Sequence, residues 1–243
     1  MSVKANHKKV AFVTGSTRGI GRAIAERLVA DEFRVVTNGR TTPDKVIGEE
    51  HIQADLTKPD DVSRLIKYVK VKYGNIDVLI CNVGSGKQIK EIASEDRWRH
   101  FLSINLFSAV YLIEELIRES LLKNSKIVGI SSIAGSTATS APIEYSASKA
   151  ALDSYFRNMA VNYSSDGMNF NLLSIGNVLF PGSTWEEKIE LNKESVNRYI
   201  AENVPVNRFA ALSEVADVAS FLASTKCDFM TGSTITVDGG QSL

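Results

Sequence analysis

The stretch that decides the fold reads VAFVTGSTRGIGRAIAERLVA and covers residues 10–30. A short apolar run, Val10–Thr14, leads directly into glycines at positions 15, 19 and 21, and an amphipathic helical pattern follows. Glycines between a strand and a helix allow the tight turn and the close backbone approach that a diphosphate needs, while the first amides of the helix face its phosphates. A structural turn without a ligand is the alternative. The stretch therefore predicts a strand–loop–helix unit that binds a dinucleotide.

Strand-like and helical patterns alternate over the rest of the chain, without a linker or an internal repeat. The predicted strands are Val10–Thr14, Arg34–Thr37, Ile52–Asp55, Val78–Asn82, Lys126–Ser131, Phe170–Ile175 and Thr234–Val237. The predicted helices are Gly21–Ala30, Asp60–Tyr73, Arg97–Leu121, Tyr145–Ser164 and Ser213–Ala223. Such alternation implies right-handed crossovers between parallel strands. We expect one α/β domain over residues 1–243, a Rossmann-like doubly wound sheet of about seven strands with helices on both faces.

The composition narrows the class of protein. A chain of 243 residues with 44% hydrophobic residues is long enough to bury one substantial core. The 28 basic and 28 acidic residues cancel, which argues against a nucleic-acid partner. Cys81 and Cys227 are too few for a disulfide framework and fit a reducing cytoplasm, and with three scattered histidines they give no metal-ligand spacing. We expect no secretory signal and no membrane span, because no apolar run of the required length is present.

The end of the second predicted strand indicates which dinucleotide is bound. An acidic residue there would hold the ribose hydroxyls of NAD, whereas an arginine would accept the additional phosphate of NADP. The sequence Asn38-Gly39-Arg40 has no carboxylate, and Arg18 lies in the glycine loop. Both arginines being solvated surface residues is the alternative. The pattern favours NADP(H) over NAD(H), which stays possible.

Tyr145 and Lys149 are four residues apart at the start of a predicted helix and therefore share one helix face. A phenol with a pKa of about 10 exchanges protons poorly at neutral pH. Lowering that pKa by about three units takes roughly 4 kcal/mol, which an ammonium at about 4 Å supplies in a partly screened site. The pair thus predicts a general acid and base. Taken alone, the same spacing also occurs in surface pairs.

Two further polar residues accompany this pair. Ser132 follows the fifth predicted strand, where its hydroxyl can hydrogen-bond a substrate oxygen; Ser131 is the alternative donor, and both can instead cap the strand end. Asn105 is an amide in an apolar helical stretch and needs partners if it is buried. It can hold a water that connects Lys149 to solvent, or it can be a packing amide bonded to neighbouring backbone.

Together these residues resemble the short-chain dehydrogenase/reductase family, and the resemblance covers essentially the whole chain. In order and approximate spacing, Asn105, Ser132, Tyr145 and Lys149 match the family's catalytic tetrad. The resemblance implies hydride transfer between a nicotinamide and a carbonyl or secondary alcohol. The closing Val237-Asp238-Gly239-Gly240 matches as well.

The resemblance also assigns the cofactor contacts. Asp55 stands where the family's aspartate meets the adenine amino group, and Asn82-Val83-Gly84 stands where the family has Asn-Ala-Gly. The implied cofactor-binding residues are Gly15, Ser16, Thr17, Arg18, Gly19, Ile20, Gly21, Arg40, Asp55, Leu56, Asn82, Gly84, Tyr145, Lys149, Gly176 and Val178.

The chain departs from the family at three positions. Cys81 replaces the first asparagine after the fourth strand, which we expect to be a tolerated packing change. Ile175 replaces a proline, and Phe180 stands near a threonine that touches the nicotinamide side of the cofactor. We therefore expect contacts from the backbone amides of residues 176–178 rather than from a side-chain hydroxyl.

The substrate is less determined. In this fold, residues 176–205 are expected to form a lid that lines the pocket, together with Lys87 and Gln88. With Trp185 and Lys188 they favour a sugar, including a nucleotide-linked one, over a sterol, and 3-oxoacyl reduction on a carrier protein stays open. The non-catalytic alternatives are an NADP(H)-sensing binding module and a structural interaction protein.

Members of the resembled family are usually homotetramers or homodimers. They assemble through the two long helices that correspond to Arg97–Leu121 and Tyr145–Ser164. In this chain the candidate apolar contacts are Phe107, Val110, Tyr111, Phe156 and Met159, and membership of the core is the alternative.

Overall fold

The computed structural model describes residues 8–86 and 92–243, so the predicted pocket residues Lys87 and Gln88 lie outside the described residues. Strands and helices alternate over most of the chain as predicted, but no helix lies between the second and third strands among the described residues. The strands are β1 (Val10–Val13), β2 (Arg34–Gly39), β3 (Glu50–Gln53), β4 (Val78–Cys81), β5 (Lys126–Ser132), β6 (Asn169–Ile175) and β7 (Thr234–Val237). The α-helices are α1 (Gly19–Ala30), α2 (Pro59–Lys72), α3 (Glu95–Leu102), α4 (Ser108–Arg118), α5 (Ile143–Tyr163), α6 (Thr184–Asn203) and α7 (Leu212–Ala223).

The strands form one seven-stranded sheet in the order β3-β2-β1-β4-β5-β6-β7, and every neighbouring pair is parallel. The chain builds outward from β1 to β3 and then returns to the other side of β1 with β4. The order of the strands therefore reverses between β1 and β4, which opens a crevice at their carboxyl ends. This is the predicted Rossmann-like doubly wound fold.

Strand β1 shows why the central strands are apolar throughout. Val10 and Phe12 point into a core formed with α2, α4 and α5. The alternate residues Ala11 and Val13 point into a second core formed with α1 and α7. Because side chains alternate along a strand, a strand covered by helices on both faces needs apolar residues at every position.

The predicted helix Arg97–Leu121 is interrupted. A π-helical turn, Ser103–Phe107, separates α3 from α4. By length and composition, Glu95–Arg118 passes as a membrane span with a mean hydropathy of 1.3, contrary to the sequence expectation of none. Leu112 and Leu116 in this segment have no exposed surface and pack in the core, which accounts for its apolar character.

The candidate interface residues divide between the core and the surface. Phe156 and Met159 are buried in the core, which is the alternative that the sequence left open. Phe107 is partly exposed, and its ring stacks on Tyr111 at 5.7 Å between centroids. Phe107, at the end of the π-helical turn, is therefore the exposed aromatic side chain among these candidates.

The segment after β6 packs mostly around a cluster of its own. Helix α6 is broken at Asn192, where the backbone leaves the helical region, and the Asn192 side chain accepts a hydrogen bond from the Ser195 amide at 2.9 Å. A small apolar cluster around Val196 and Phe209 holds the two halves of α6 together, separate from the two cores on the sheet.

Candidate active site

The glycine loop between β1 and α1 has the geometry that the sequence predicts. Gly15 and Gly19 have φ values of +60° and +58°, a region that favours glycine. A methyl group on Gly21 would lie 2.4 Å from the Asn82 side chain and 2.5 Å from the Gly15 carbonyl oxygen. Each glycine therefore meets a local requirement, since two allow the turn and the third allows close packing.

The start of α1 is open to an anion. Helix α1 begins at Gly19, and its N-cap residue Arg18 places no side-chain acceptor on the first amides. The Ser16 hydroxyl donates to the Val13 carbonyl at 2.7 Å, and its amide donates to the Asn38 carbonyl at 2.9 Å. Both donors of Ser16 thus stabilise the loop in this structure, and its contact with a dinucleotide stays a prediction.

Asn82 supports the glycine loop from β4. Its side-chain amide donates to the carbonyls of Thr14 and Gly15 at 3.0 and 2.9 Å. These bonds join the two strands on either side of the crevice. Asn82 therefore acts on a dinucleotide by holding the loop in shape, because both hydrogens of its amide are already engaged.

The predicted adenosine contacts lie together in a cavity of about 190 Å³ at the end of β2. Thr17, Arg40, Asp55 and Leu56 line it. One carboxylate oxygen of Asp55 accepts hydrogen bonds from the amide and the hydroxyl of Thr57, which fixes the orientation of the carboxylate. The side chain of Arg40 is exposed and makes no ion pair within the described residues. The cavity therefore pairs one fixed carboxylate with a free cation.

A second cavity of about 250 Å³ continues from the glycine loop to the end of β5. Gly19, Ile20 and Gly84 line it together with Tyr145 and Lys149. Open amides, glycines at the points of close approach and two adjoining cavities fit an extended dinucleotide. The residues that would hold it are those of the glycine loop at one end and of β5 and α5 at the other.

The segment after β6 meets the prediction only in part. The amide of Gly176 donates to the Val237 carbonyl at 3.0 Å, so it is engaged in the fold rather than free for a nicotinamide. Val178 is buried and forms an isolated bridge with Ala210. The Gly176 amide is therefore engaged by β7. The bridge is formed by the Asn177 carbonyl and the Leu179 amide and does not use the Val178 amide.

Phe180 takes a position that the sequence did not indicate. A methyl group on Gly19 would come within 2.7 Å of the Phe180 ring, so the ring lies directly against the glycine loop. The Arg18 guanidinium also reaches this segment and donates to the Gly182 carbonyl at 3.3 Å. Where the resembled family has a hydroxyl, this chain thus has an aromatic wall between the loop and the substrate side.

Tyr145 and Lys149 lie on consecutive turns of α5 at the carboxyl end of β5. The Lys149 ammonium donates to the Ile130 carbonyl at 2.8 Å and lies 6.0 Å from the centre of the Tyr145 ring. Lys149 is only 4% exposed. The backbone of β5 therefore fixes the lysine beside the phenol.

The pKa shifts of Tyr145 and Lys149 differ from the prediction. Burial raises the pKa of the Tyr145 phenol, whereas hydrogen bonding with Ser132 lowers it. Burial also lowers the pKa of Lys149 to about 8. The predicted lowering of the Tyr145 pKa is therefore wrong for these side chains as they stand, because both groups are removed from water together. The phenol stays protonated at neutral pH, which is the form that donates a proton.

The structure distinguishes the two serines at the end of β5. The Ser131 hydroxyl donates to the Asp153 carboxylate at 2.5 Å, and this pair is buried. Ser132 lines the cavity on the substrate side of Tyr145. Asp153 was missed from the sequence, although its position four residues after Lys149 places it on the same helix face.

Asn105 lies in the π-helical turn and is 1% exposed. Its side-chain oxygen accepts from the Ser85 amide at 2.8 Å, and its amide donates to the Ser85 carbonyl at 3.1 Å. A methyl group on Gly84 would lie 3.0 Å from the Asn105 oxygen and 3.2 Å from the Lys149 nitrogen. Asn105 thus holds the loop after β4 close to Lys149, as the backbone-bonding alternative anticipated.

A buried ion pair supports the start of α5. Arg97 on α3 pairs with Glu144, whose side chain is 3% exposed and directly precedes Tyr145. Sequence reasoning missed this pair because its members are far apart in the chain, and only the packing of α3 against α5 brings them together. It ties the catalytic helix to the neighbouring helix.

The substrate side of Tyr145 is a cavity of about 260 Å³. Ser132 and Tyr145 form one wall, and Phe180, Trp185 and Lys188 contribute to the other. Tyr145 therefore lines both this cavity and the one beside the glycine loop.

Comparisons with known proteins agree with this geometry. Residues 15–242 match a family model described as enoyl-(acyl carrier protein) reductase. The chain is 30% identical to the 3-oxoacyl-(acyl-carrier-protein) reductase of Haemophilus influenzae over 248 residues, which is 97% of this chain and 98% of that protein.

Solved structures give the same result. The aldohexose dehydrogenase of Thermoplasma acidophilum has a TM-score of 0.86 and 31% identity, covering 97% of this chain and 94% of that one. The L-sorbose reductase of Gluconobacter frateurii, solved with NADPH and L-sorbose, has a TM-score of 0.87 and 26% identity, with 96% of both chains covered. With its parallel sheet, its glycine loop and these matches, the chain belongs to the short-chain dehydrogenase/reductase family of oxidoreductases.

Proposed function

We propose that this oxidoreductase prefers NADP(H) and interconverts a carbonyl and a secondary alcohol, with Tyr145 as the general acid and base. The observation that carries the proposal is the position of Tyr145 at the junction of two cavities. One cavity begins at the glycine loop, and the other lies beyond Ser132. A proton donor placed between a hydride source and a substrate is what the reaction requires.

Each polar residue then has a distinct role. A bound nicotinamide supplies the hydride in reduction and accepts it in oxidation. The Ser132 hydroxyl holds the substrate oxygen, and the Tyr145 phenol gives its proton to that oxygen in reduction and removes it in oxidation. The Lys149 ammonium, fixed on the Ile130 carbonyl, stabilises the phenolate that forms. Asn105 positions the loop after β4 at this site.

The preference for NADP(H) rests on two arginines and on the absence of a carboxylate. The end of β2 reads Asn38-Gly39-Arg40, and Arg18 and Arg40 line the same cavity. A guanidinium matches the geometry of a phosphate. An acidic side chain would repel a phosphate, and the end of β2 carries none.

Two substrate classes are supported by the relatives. The similarity to sugar oxidoreductases favours a sugar, and the similarity to 3-oxoacyl reductases favours a 3-oxo compound. An NADP(H)-sensing module without turnover is the alternative in a different class. The pair Tyr145 and Lys149 argues against it, because a sensor has no need of a buried proton donor beside its ligand.

The same features support proposals for the type of substrate, the assembly and the cellular location. We propose a small-molecule substrate, a homotetramer or homodimer assembled through α4 and α5, and a cytoplasmic location, where Cys81 and Cys227 stay reduced. Both cysteines are free and buried. Neither a nucleic acid nor a membrane belongs to this proposal. Size-exclusion chromatography with light scattering measures the assembly.

A cofactor titration followed by a turnover assay tests the proposed function. NADPH fluorescence is titrated with the protein, and NADPH oxidation is then followed on a panel of sugars and 3-oxo esters. The proposal expects tighter binding of NADPH than of NADH, and turnover of at least one carbonyl. Binding without turnover of any panel member would favour the sensor, and no binding of either dinucleotide would exclude both readings.

A further inference from the structure

Lys188 has an unusual position in the cavity beyond Tyr145. Among the described residues, it is the one Lys, Arg, Asp or Glu side chain that lines this cavity. The other lining groups are apolar side chains, hydroxyls and neutral amides, including Asn177 and Gln241. Among the described residues, the walls of this cavity therefore carry one positive charge and no carboxylate.

Lys188 also has no anionic partner. It forms no ion pair within the described ranges, and the residues three and four positions away on α6 are Thr184, Trp185, Leu191 and Asn192. The neighbouring turns therefore supply no carboxylate to it. The Lys188 side chain is half-buried, and this burial lowers its pKa. A partly buried charge without a partner is costly, so a bound anion would stabilise it.

The ammonium of Lys188 is held in place rather than left in solvent. It lies 4.3 Å above the centre of the Trp185 ring. Trp185 is in turn packed against Tyr199 and Phe209, with ring centroids 4.8 and 4.5 Å apart. A cation over an aromatic face is positioned by that ring while its remaining donors stay free for a ligand.

The opposite polar groups are already satisfied. The Asn177 side-chain amide donates to the Tyr199 hydroxyl at 3.1 Å and to the Gln241 side-chain oxygen at 2.6 Å. The Gln241 amide donates to the Asp238 carbonyl at 2.7 Å. These two side chains therefore shape the wall, and Lys188 is the cationic donor on it among the described residues.

We propose that Lys188 binds an anionic group, a carboxylate or a phosphate, on the part of the substrate that lies away from the reacting carbonyl. The inference rests on the proposed function, because it places the carbonyl at Ser132 and Tyr145. The cavity of about 260 Å³ has room for a small molecule. A small keto acid or a phosphorylated ketose has the required chemistry.

Paired substrates test the proposal directly. Acetoacetate is compared with methyl acetoacetate, and dihydroxyacetone phosphate with dihydroxyacetone, each at saturating NADPH. Because a charge-assisted hydrogen bond would be added, we expect kcat/KM to favour one anionic member by about tenfold or more over its neutral partner. The pair that shows the preference distinguishes a carboxylate from a phosphate.

Lys188→Gln should abolish that preference, mainly by raising KM for the anionic member, while NADPH affinity stays within about twofold. Lys193→Gln is the matched control, since Lys193 is exposed on the same helix. Equal kcat/KM for both members of both pairs in the wild type, or an unchanged preference in Lys188→Gln, would overturn the proposal.

A binding measurement separates this proposal from the proposed function. In a Trp98→Phe background, Trp185 is the remaining tryptophan. Its fluorescence is titrated with acetoacetate and with inorganic phosphate in the presence of NADP⁺. Saturable quenching that Lys188→Gln removes supports the anion site even if no carbonyl is reduced. If neutral ketones are reduced but neither anion quenches, only the Lys188 proposal fails.

Discussion

The two walls of the substrate cavity are built in different ways. One wall contains Tyr145 of α5, which packs on the sheet, and the neighbouring Lys149 ammonium is bonded to the backbone of β5 at 2.8 Å. On the other wall, Trp185 and Lys188 belong to α6, which is broken at Asn192 and packs around a small cluster of its own. Segments with few contacts to the main core open most easily. The reacting groups are therefore fixed by the sheet, whereas the side chains expected to select the substrate lie on α6, which has fewer contacts with the main core.

The largest effect is expected at the wall that contains Ser132 and Tyr145, which we call the fixed wall because it is held by the sheet. Ser132→Ala should lower kcat by about 10²–10³, because one preorganised donor to the substrate oxygen is lost. Steady-state kinetics with NADPH and a reduced carbonyl measure it. Ser131→Ala is the matched control, and we expect it to lower stability more than kcat, because Asp153 loses its buried partner. Equal losses of kcat in both variants would contradict the assignment.

A pair of truncations tests whether the two walls differ in stability. Leu112→Ala removes a fully buried side chain from the main core and should cost about 2–5 kcal/mol of global unfolding free energy. Val196→Ala removes a buried side chain from the α6 cluster and should cost about 1 kcal/mol or less globally. Hydrogen exchange should instead show faster opening confined to α6. Equal global losses would mean that α6 unfolds together with the sheet.

Much of the fixed wall could be predicted from the sequence, because its signals are local. The glycine loop follows β1 directly, Tyr145 and Lys149 are one turn apart, and β7 has the predicted bounds, Thr234–Val237. The ion pair between Arg97 and Glu144 could not be predicted, because its members meet only when α3 packs on α5.

The rest of the site required three-dimensional information for the same reason. The π-helical turn that carries Asn105 has no signature in hydrophobic periodicity, because apolar residues continue through it. The contact between Phe180 and Gly19 joins segments that are distant in sequence. The pKa of Tyr145 was predicted from its lysine neighbour alone, whereas burial has the larger effect.

A smaller effect is expected on the discrimination between NADPH and NADH. Arg40→Ala should weaken NADPH binding by about tenfold and leave NADH binding nearly unchanged, because a charge-assisted contact to the additional phosphate is lost. Fluorescence titrations with both dinucleotides measure this difference. Arg22→Ala is the control, since Arg22 pairs with Glu26 on the outer face of α1. Parallel weakening of both dinucleotides would remove Arg40 from phosphate recognition.

The smallest expected effect is a pH dependence of stability. The pKa of Lys149 falls from 10.5 to about 8 in the folded protein. Between these values the unfolded chain binds more protons, so this residue makes the folded state more stable as the pH rises. The difference in unfolding free energy between wild type and Lys149→Met should therefore shift by about 1 kcal/mol in favour of wild type from about pH 7.5 to 9. A constant difference would contradict the burial of a charged lysine.

The most direct test of the central claim is the single-turnover rate of Tyr145→Phe with bound NADPH and a carbonyl that the wild type reduces. We expect a rate at least about 10²-fold lower than that of the wild type, with NADPH affinity within about twofold, because only the proton donor is removed. Tyr155→Phe on the same helix, whose buried hydroxyl has no hydrogen-bond partner within the described residues, should keep the wild-type rate. An unchanged rate in Tyr145→Phe would contradict the account.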